Sequence, residues 1–495
     1  MADGDTNSRQ RAFIDILDND SLLNIFYHCR PAIMEGDGID TWDIDSRIDI
    51  FVPGGKWERE RWWYKPAQVC RRWRHLILAS PSYLGLSLVC ASGTPVADML
   101  AHSPPFPLII DHPYLDGNIT AEDVEGTRLA LEHHDRVRRI RFRMLVPRMM
   151  GLIAAIDGLF PLLEYLYISP LPVSSELLDM HCFLPSTLRA PHLRHLVLQN
   201  MVFPIISPLL EGLVTLSLEC TPSAHIGPTE LLQRLSLMPH LETFRITFFR
   251  TLFNQNVERQ LLRMPISTHA TIPNLRWFGF GGPSAYMEAV LPRITVPLLK
   301  VVEIVFTTSD LLNLTSSALF TLQFMCKTGN PRLRNIQVTF KDAFVVVTMY
   351  PHELTGIMMP ILRLRLLRPL LFAGLNSTTQ VSDGIRAVLT EVESLTLEDK
   401  TSLTRLKGYY PVCAESRWRE LLKSFDNVRT LHVSGGDLIE GLTCSLQPHD
   451  GESAIELLPM LRVLSCPKGT HVGESCRSFI AVRRNAGYPV TISFH

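Results

Sequence analysis

The sequence has no Cys-x-x-Cys pair, no long uninterrupted apolar run and almost no net charge. Its ten cysteines are scattered, which is typical of reduced thiols and argues against a disulfide framework or a zinc site. The longest apolar stretch, residues 144–168, is broken by Arg148, Asp157 and Glu164, too many charges for a bilayer span. The net charge of −1 gives no bulk attraction to nucleic acid or to an acidic membrane, so neither partner is predicted.

Enzyme motifs are also missing. The glycines near Gly281 lack the Lys-Ser/Thr pair that completes a phosphate-binding loop. His352-Glu353 lacks a second histidine, because Gly356 stands at that position. We therefore predict a protein that is not an enzyme, with no catalytic residue, no cofactor and no metal. A hydrolase whose serine, histidine and acid meet only in space stays open as a weaker alternative.

The first residues, MADGDTNSRQ, are polar and lack the apolar core of a signal peptide. This favours the cytoplasm, the nucleus or both as the location. Aromatic and basic residues do cluster in KWERERWWYK at residues 56–65, a composition that also occurs in single-strand nucleic-acid binders. Glu58 and Glu60 reduce the net positive charge of this segment. We therefore interpret it as a surface whose arginine and tryptophan side chains pack against each other, and not as a nucleic-acid site.

What the sequence does have is apolar residues and length. Hydrophobic residues make up 46% of the 495 positions and charged residues only 20%, enough to build a large core. A chain of this length predicts several domains or one long repeat array.

A phrase of the form apolar-x-x-apolar-x-apolar recurs through most of the chain. The first positions of its eleven copies are Val137, Leu163, Leu193, Leu213, Leu241, Leu275, Leu299, Leu333, Val392, Val428 and Leu461. They lie 20 to 36 residues apart, except for a gap of 59 between Leu333 and Val392, which indicates an unseen unit near residues 361–371. The last two apolar positions are two apart, so a strand places both on one face. Stacked copies would bury that face as a continuous core.

Helical patterns fall between the phrases, for example over residues 229–238 and 315–328. The order helix, proline, strand predicts parallel strands. The rhythm over residues 135–495 resembles the leucine-rich-repeat family in an irregular form, although the asparagine of that family is mostly missing and only Asn200 comes close. The resemblance implies a horseshoe that binds a partner, and the sequence leaves open which face does so. Candidate side chains on the concave face are Arg194, Arg245, Arg276, Arg334 and Arg429, which fit the convex side or the edges equally well.

Two short motifs stand ahead of the repeats. LDNDSLLNIF predicts a helix capped by Asp18 or Asn19, and VCRRWRHL predicts a second helix with one apolar face. Together, and in this order, they resemble the two signatures of the F-box, a small helical bundle that binds the Skp-type adaptor of a cullin–RING ubiquitin ligase. Asp18 replaces the usual proline, and residues 31–65 form an insertion that we expect to be mobile or to make its own surface. The resemblance implies these adaptor-binding positions: Leu17, Asp18, Leu22, Leu23, Ile25, Phe26, Val69, Cys70, Trp73 and Leu76.

The predicted organisation is an F-box-like module over residues 13–80, a connecting or capping segment over 81–134, and the repeats over 135–495. The fold class is α+β: a small helical bundle and then an α/β solenoid with parallel strands. The implied function is substrate receptor of a Skp–cullin–F-box ligase, with the Skp-type adaptor, the cullin scaffold and an unidentified target protein as partners. The alternative is a repeat scaffold for protein–protein interaction outside any ligase, in which the first helices only cap the repeats.

Overall fold

The structure is a computed structural model, and it describes residues 17–30, 61–112, 119–171, 182–202, 209–220, 226–248, 266–306, 314–326, 333–341, 344–351, 361–367, 371–400, 413–434, 436–449, 452–453, 455–469 and 473–494. The chain divides into two compact units. Unit 1 comprises Met1–Val173 and Leu184–Leu193, and unit 2 comprises Ser174–Phe183 and Arg194–His495. Both units are mixed α/β, and their strands are mostly parallel.

Unit 1 begins with helices and continues with alternating strands and helices. Its described helices are α1 Asn19–His28, α2 Tyr64–Ala67, α3 Arg71–Ala79, α4 Pro81–Leu84, α5 Val96–His102, α6 Ala121–Glu132 and α7 Val146–Ala155. Its strands are β1 Leu88–Cys90, β2 Leu108–His112, β3 Val137–Leu145 and β4 Tyr165–Leu171, parallel and adjacent in that order. Ile110, Ile140 and Leu166 lie side by side across β2, β3 and β4 and are buried. β1 and β2 lie within residues 81–134, the segment predicted to connect the helical module to the repeats or to cap them.

The free edge of β1 is covered by residues 61–67. Trp63 is buried against Phe106, and its indole nitrogen donates to the carbonyl of Ser87 at 3.3 Å. The guanidinium of Arg61 donates to the carbonyl of Val89 at 3.2 Å. These bonds satisfy backbone groups that an exposed edge strand would offer to other chains. Residues 61–65 therefore pack on the fold instead of making the separate surface expected for the 31–65 insertion, whose residues 31–60 lie outside the described chain.

Unit 2 carries the remaining strands. They are β5 Cys182–Phe183, β6 His195–Gln199, β7 Met201–Val202, β8 Thr215–Cys220, β9 Thr243–Phe248, β10 Ala270–Thr271, β11 Trp277–Gly282, β12 Ile294–Thr295, β13 Val301–Phe306, β14 Leu333–Phe340, β15 Phe344–Pro351, β16 Leu362–Leu367, β17 Ser394–Asp399, β18 Thr430–Ser434, β19 Val463–Cys466 and β20 Thr491–Phe494. The main sheet has the order β6-β8-β9-β11-β13-β16-β15-β14-β17-β18-β19-β20. Two short parallel pairs, β5 with β7 and β10 with β12, lie beside it.

Helices connect these strands. Those described are α8 Pro228–Leu235, α9 Ser284–Val290, α10 Leu314–Cys326, α11 Leu371–Gly384, α12 Arg386–Leu389, α13 Cys413–Leu422, α14 Gly436–Ser445 and α15 Glu474–Asn485. A short 3₁₀ turn, Leu291–Arg293, follows α9. Neighbouring helices α10 and α11, α13 and α14, and α14 and α15 are in contact.

The recurring phrase builds the strands in the way that its period predicts. In all eleven copies the second and third apolar positions lie on a strand and are buried, as Phe244 and Ile246 are on β9. In eight of the copies the first position closes a tight turn before the strand. For example, the amide of Leu241 donates to the carbonyl of Met238, and that of Leu275 donates to the carbonyl of Ile272. A strand buries alternate residues on one face, so this spacing alone is enough to place the core.

In most copies, the residue after the first position links neighbouring copies at the entrance of the strands. The carbonyl of Arg194 accepts the amides of Val214 and Thr215 at 2.8 and 2.9 Å, and the carbonyl of Arg276 accepts those of Lys300 and Val301 at 2.8 and 3.0 Å. Arg334 and Arg429 occupy the same place. The backbone of these four arginines therefore lies at the start of the strands. Of the five named candidates, Arg245 lies within β9 and Arg334 is the second residue of β14.

One strand departs from the predicted parallel arrangement. β15 pairs antiparallel with both β14 and β16, while β16 is parallel to β13 and β14 is parallel to β17. Only residues 341–343 separate β14 from β15, and a parallel crossover needs a dozen residues or more. The short connection imposes a hairpin. β16 lies where the gap in the phrases indicated an unseen unit.

Candidate functional site

The two N-terminal motifs meet in one small helical module made by α1, α3 and α4 of unit 1. Leu22 and Phe26 of α1 are 0% and 2% exposed, and Leu76 of α3 is also buried. The Phe26 ring meets the Trp73 ring edge-on, with centroids 4.9 Å apart. α1 contacts both α3 and α4. Three of the predicted adaptor-binding residues thus form the core of this module.

Arg72 fastens the start of α1 to the start of α3. Its guanidinium donates to the carbonyl of Leu17 at 2.5 Å and to the side-chain oxygen of Asn19 at 3.0 Å. Both bonds join residues more than fifty positions apart. Sequence reasoning assigned Arg72 no role, since an arginine in a basic run gives no signal of its partner.

Both helices begin with a side-chain cap. The Asp18 carboxylate accepts the amide of Ser21 at 2.6 Å, and this hydrogen bond lowers the pKa of Asp18. The thiol of Cys70 accepts the amide of Trp73 at 3.5 Å. Aspartate at this position is a preferred helix cap, so it starts α1 where the F-box signature has proline. Asp18 and Cys70 are both exposed.

Some large apolar side chains of the module face solvent. Val69 is 62% exposed and Ile25 is 41% exposed, although Ile25 is next to the buried Phe26 in the sequence. Tyr27 and Tyr83 are also exposed, and their rings lie 5.3 Å apart. Exposed apolar side chains mark interaction sites when they form a contiguous patch, and within this group the two tyrosines lie together. We call Ile25, Tyr27, Val69 and Tyr83 the exposed set.

The ten predicted site residues therefore separate into three groups. Leu22, Phe26 and Leu76 are buried; Asp18, Ile25, Val69 and Cys70 are exposed; Leu17, Leu23 and Trp73 are half-buried. The buried residues shape the module, and the exposed ones are free to touch a partner. Tyr27 and Tyr83 were not predicted from the sequence, because neither is part of the two F-box-like motifs.

A serine, a histidine and an acid do come together in unit 1, at the carboxyl ends of β1 and β2. The Ser92 hydroxyl lies 3.2 Å from Nδ1 of His112, and the Thr127 hydroxyl lies 2.7 Å from Nε2. Thr127 donates its own proton to the carbonyl of Asp123 at 2.7 Å. It must therefore accept from Nε2–H, which leaves Nδ1 to accept from Ser92.

The acid does not complete a catalytic triad. The Asp123 carboxylate accepts the amides of Gly93 and Thr120 at 2.6 and 2.8 Å, so it caps α6 instead of holding the imidazole. Burial lowers the pKa of His112 to about 4, so the ring is neutral near pH 7 and a weak base. This geometry favours a structural role for the cluster.

Other kinds of site receive no support from the part of the chain that the structure describes. Within it, no three histidine, cysteine, aspartate or glutamate side chains group closely enough to hold a metal ion. None of its helices combines the length and the apolar character that a membrane crossing requires. Comparison with models of known protein families and with curated proteins gives no match to this sequence.

Proposed function

We propose that this protein is a substrate receptor of a Skp–cullin–F-box ubiquitin ligase. The module of α1, α3 and α4 acts as the F-box and docks the Skp-type adaptor, which joins the receptor to the cullin scaffold. The strand and helix array that follows acts as an irregular leucine-rich-repeat solenoid and holds a target protein. The receptor does no chemistry itself, since holding a target beside a ubiquitin-charged enzyme raises its effective concentration.

One observation carries the proposal. The two signatures, separated by about forty residues, are joined by the Arg72 hydrogen bonds and the Phe26–Trp73 contact, and this packing leaves Ile25 and Val69 in solvent. Burying an exposed apolar side chain against a partner lowers the free energy of the system by roughly 25 cal/mol for each Å² removed from water. The exposed set is therefore the part of the module best suited to an adaptor.

Co-purification with a Skp-type adaptor tests the proposal. The informative variant is Ile25→Glu with Val69→Glu, because both positions are exposed and tolerate charge without disturbing the core. A variant of Leu22 or Phe26 would be ambiguous, since those side chains hold the module together. Leu298→Glu is the matched control, half exposed in unit 2 and far along the chain.

We expect the wild type and the Leu298 variant to retain the adaptor and the double variant to lose it. Equal recovery of all three, or recovery of none, contradicts the proposal. Circular dichroism of each variant checks that the fold is kept.

A repeat scaffold outside any ligase is the second candidate. The observation that favours it is the capping of β1 by Arg61 and Trp63, which ties the segment just before α3 to the strands of unit 1. In that case no Skp-type adaptor is retained by the wild type, while target proteins still bind the strand array.

A further inference from the structure

Three arginines form a column on one face of β3 in unit 1. Arg139, Arg141 and Arg143 alternate with residues that are buried on the opposite face, namely Ile140, Phe142 and Met144. All three arginines are half-buried. Alternate residues of a strand are roughly 6.6–6.8 Å apart, so the column presents three cations at regular spacing.

Tyrosines on the neighbouring strand line this column. Arg139 and Arg141 are in register with Tyr165 and Tyr167 of β4. Burial raises the pKa of Tyr165 to about 12, although Arg141 lies close enough to oppose this, so its hydroxyl stays protonated and able to donate. The face thus offers guanidinium groups and flat aromatic surfaces together.

The arginines differ in their partners. Arg141 is held by Asp111 of β2 through two parallel hydrogen bonds, one of them 2.6 Å from Nη2 to Oδ2. Arg143, at the carboxyl end of the column, makes no hydrogen bond or ion pair within the described chain, and its Nε atom is buried. A charged donor without an acceptor is unfavourable when part of it is buried, so an anionic group that accepts from this guanidinium would be stabilised.

We propose that this face of β3 binds an extended peptide segment of a partner protein that carries acidic side chains at alternate positions. The inference rests on the proposed function only in calling that partner a target. A carboxylate at Arg143 would accept from a guanidinium that makes no hydrogen bond within the described chain, and Arg139, two arginines away along the column, adds positive charge to the same face. An extended peptide has the same two-residue repeat as β3, so its acidic side chains match the column in spacing as well as in charge.

Asp111 favours a peptide over a nucleic acid. Its carboxylate sits in the middle of the face and neutralises Arg141, which breaks the continuous positive track that a phosphate backbone follows. A peptide can place a neutral residue opposite this pair and still place a carboxylate at Arg143.

The test uses the full chain and two fluorescein-labelled peptides of twelve residues, one of alternating Glu and Thr and one of alternating Gln and Thr. We expect fluorescence anisotropy to show binding of the Glu peptide only, weakened by added salt. Arg143→Gln should reduce that affinity at least about tenfold, as expected for the loss of a charge-assisted hydrogen bond. Arg194→Gln, at the exposed sheet edge of unit 2, is the matched control and should bind as the wild type does.

Three results would overturn the inference: equal binding of both peptides, unchanged binding by the Arg143 variant, or binding of a twelve-residue oligothymidine in preference to the Glu peptide. The ligase proposal is tested separately by these same proteins. Arg143→Gln should still retain the Skp-type adaptor, and the Ile25 and Val69 double variant should still bind the Glu peptide, so the two failures are distinguishable.

Discussion

The guanidinium of Arg72 reaches across the module to the carbonyl of Leu17, at 2.5 Å, and so fixes the start of α1 against the start of α3. The same side chain also binds Asn19. We expect Arg72→Ala to lower the free energy of unfolding of the module by about 1–3 kcal/mol, because two carbonyl acceptors lose a charged donor. Arg71→Ala is the control, since Arg71 is exposed next to it. Hydrogen exchange of the α1 amides measures the difference, and equal protection in the two variants would contradict it.

The module core and its exposed set should respond oppositely to truncation. Phe26→Ala removes a buried ring in contact with Trp73 and should destabilise the module by about 3–5 kcal/mol. Ile25→Ala removes an exposed side chain and should change stability by less than about 0.5 kcal/mol. Urea denaturation followed by hydrogen exchange of α1 separates the two. Similar losses would mean that Ile25 is part of the core.

Unit 1 should lose stability in mild acid through His112. Burial lowers its pKa from the usual 6.5 to about 4, so between these values the unfolded chain binds the proton and the folded chain does not. Stability therefore rises with pH across this window and falls as pH drops below about 6.5, by up to about 3 kcal/mol at pH 4. His112→Gln should flatten the dependence, and His192→Gln, an exposed histidine, should not. Exchange rates of the β2 and β3 amides against pH measure this.

Two helical glycines should respond differently to alanine. A Cβ at Gly384 would lie 2.3 Å from the carbonyl oxygen of Thr315, so Gly384→Ala must push α11 away from α10 and should cost about 1–3 kcal/mol or more. A Cβ at Gly151 in α7 meets nothing within 4 Å, so Gly151→Ala should stabilise by about 0.5–1 kcal/mol. Thermal denaturation of the two variants gives the signs, and a stable Gly384 variant would contradict the close helix contact.

Arg483 should be essential to the last part of unit 2. The side chain is fully buried on α15, and Nη2 lies 3.3 Å from the carbonyls of Leu458, Pro459 and Leu461. Arg483→Met leaves those carbonyls without this donor and should destabilise β19 and β20 by about 2–4 kcal/mol. Arg484→Met is the matched control, since the neighbouring arginine is exposed. Loss of amide protection in both variants alike would argue against the role of Arg483.

The sequence by itself determined where most strands of the repeated phrase begin and which of their residues are buried. Successive residues of a strand point to opposite faces, so buried residues recur with a period of two. The spacing of Phe244 and Ile246 shows this period in the local sequence alone. The caps at Asp18 and Cys70 are equally local.

Only the tertiary structure decided the rest. Leu22 and Ile25 are both apolar, yet Leu22 is buried and Ile25 is exposed. The difference arises in the folded module, where Phe26 of the same helix packs on the distant Trp73. The insertion of β15 and β16 between β13 and β14 also depends on pairing between distant strands, and so does the meeting of Ser92 with His112. Such contacts join residues far apart in the chain, and a local pattern of apolar and polar residues does not specify which distant residues will pair.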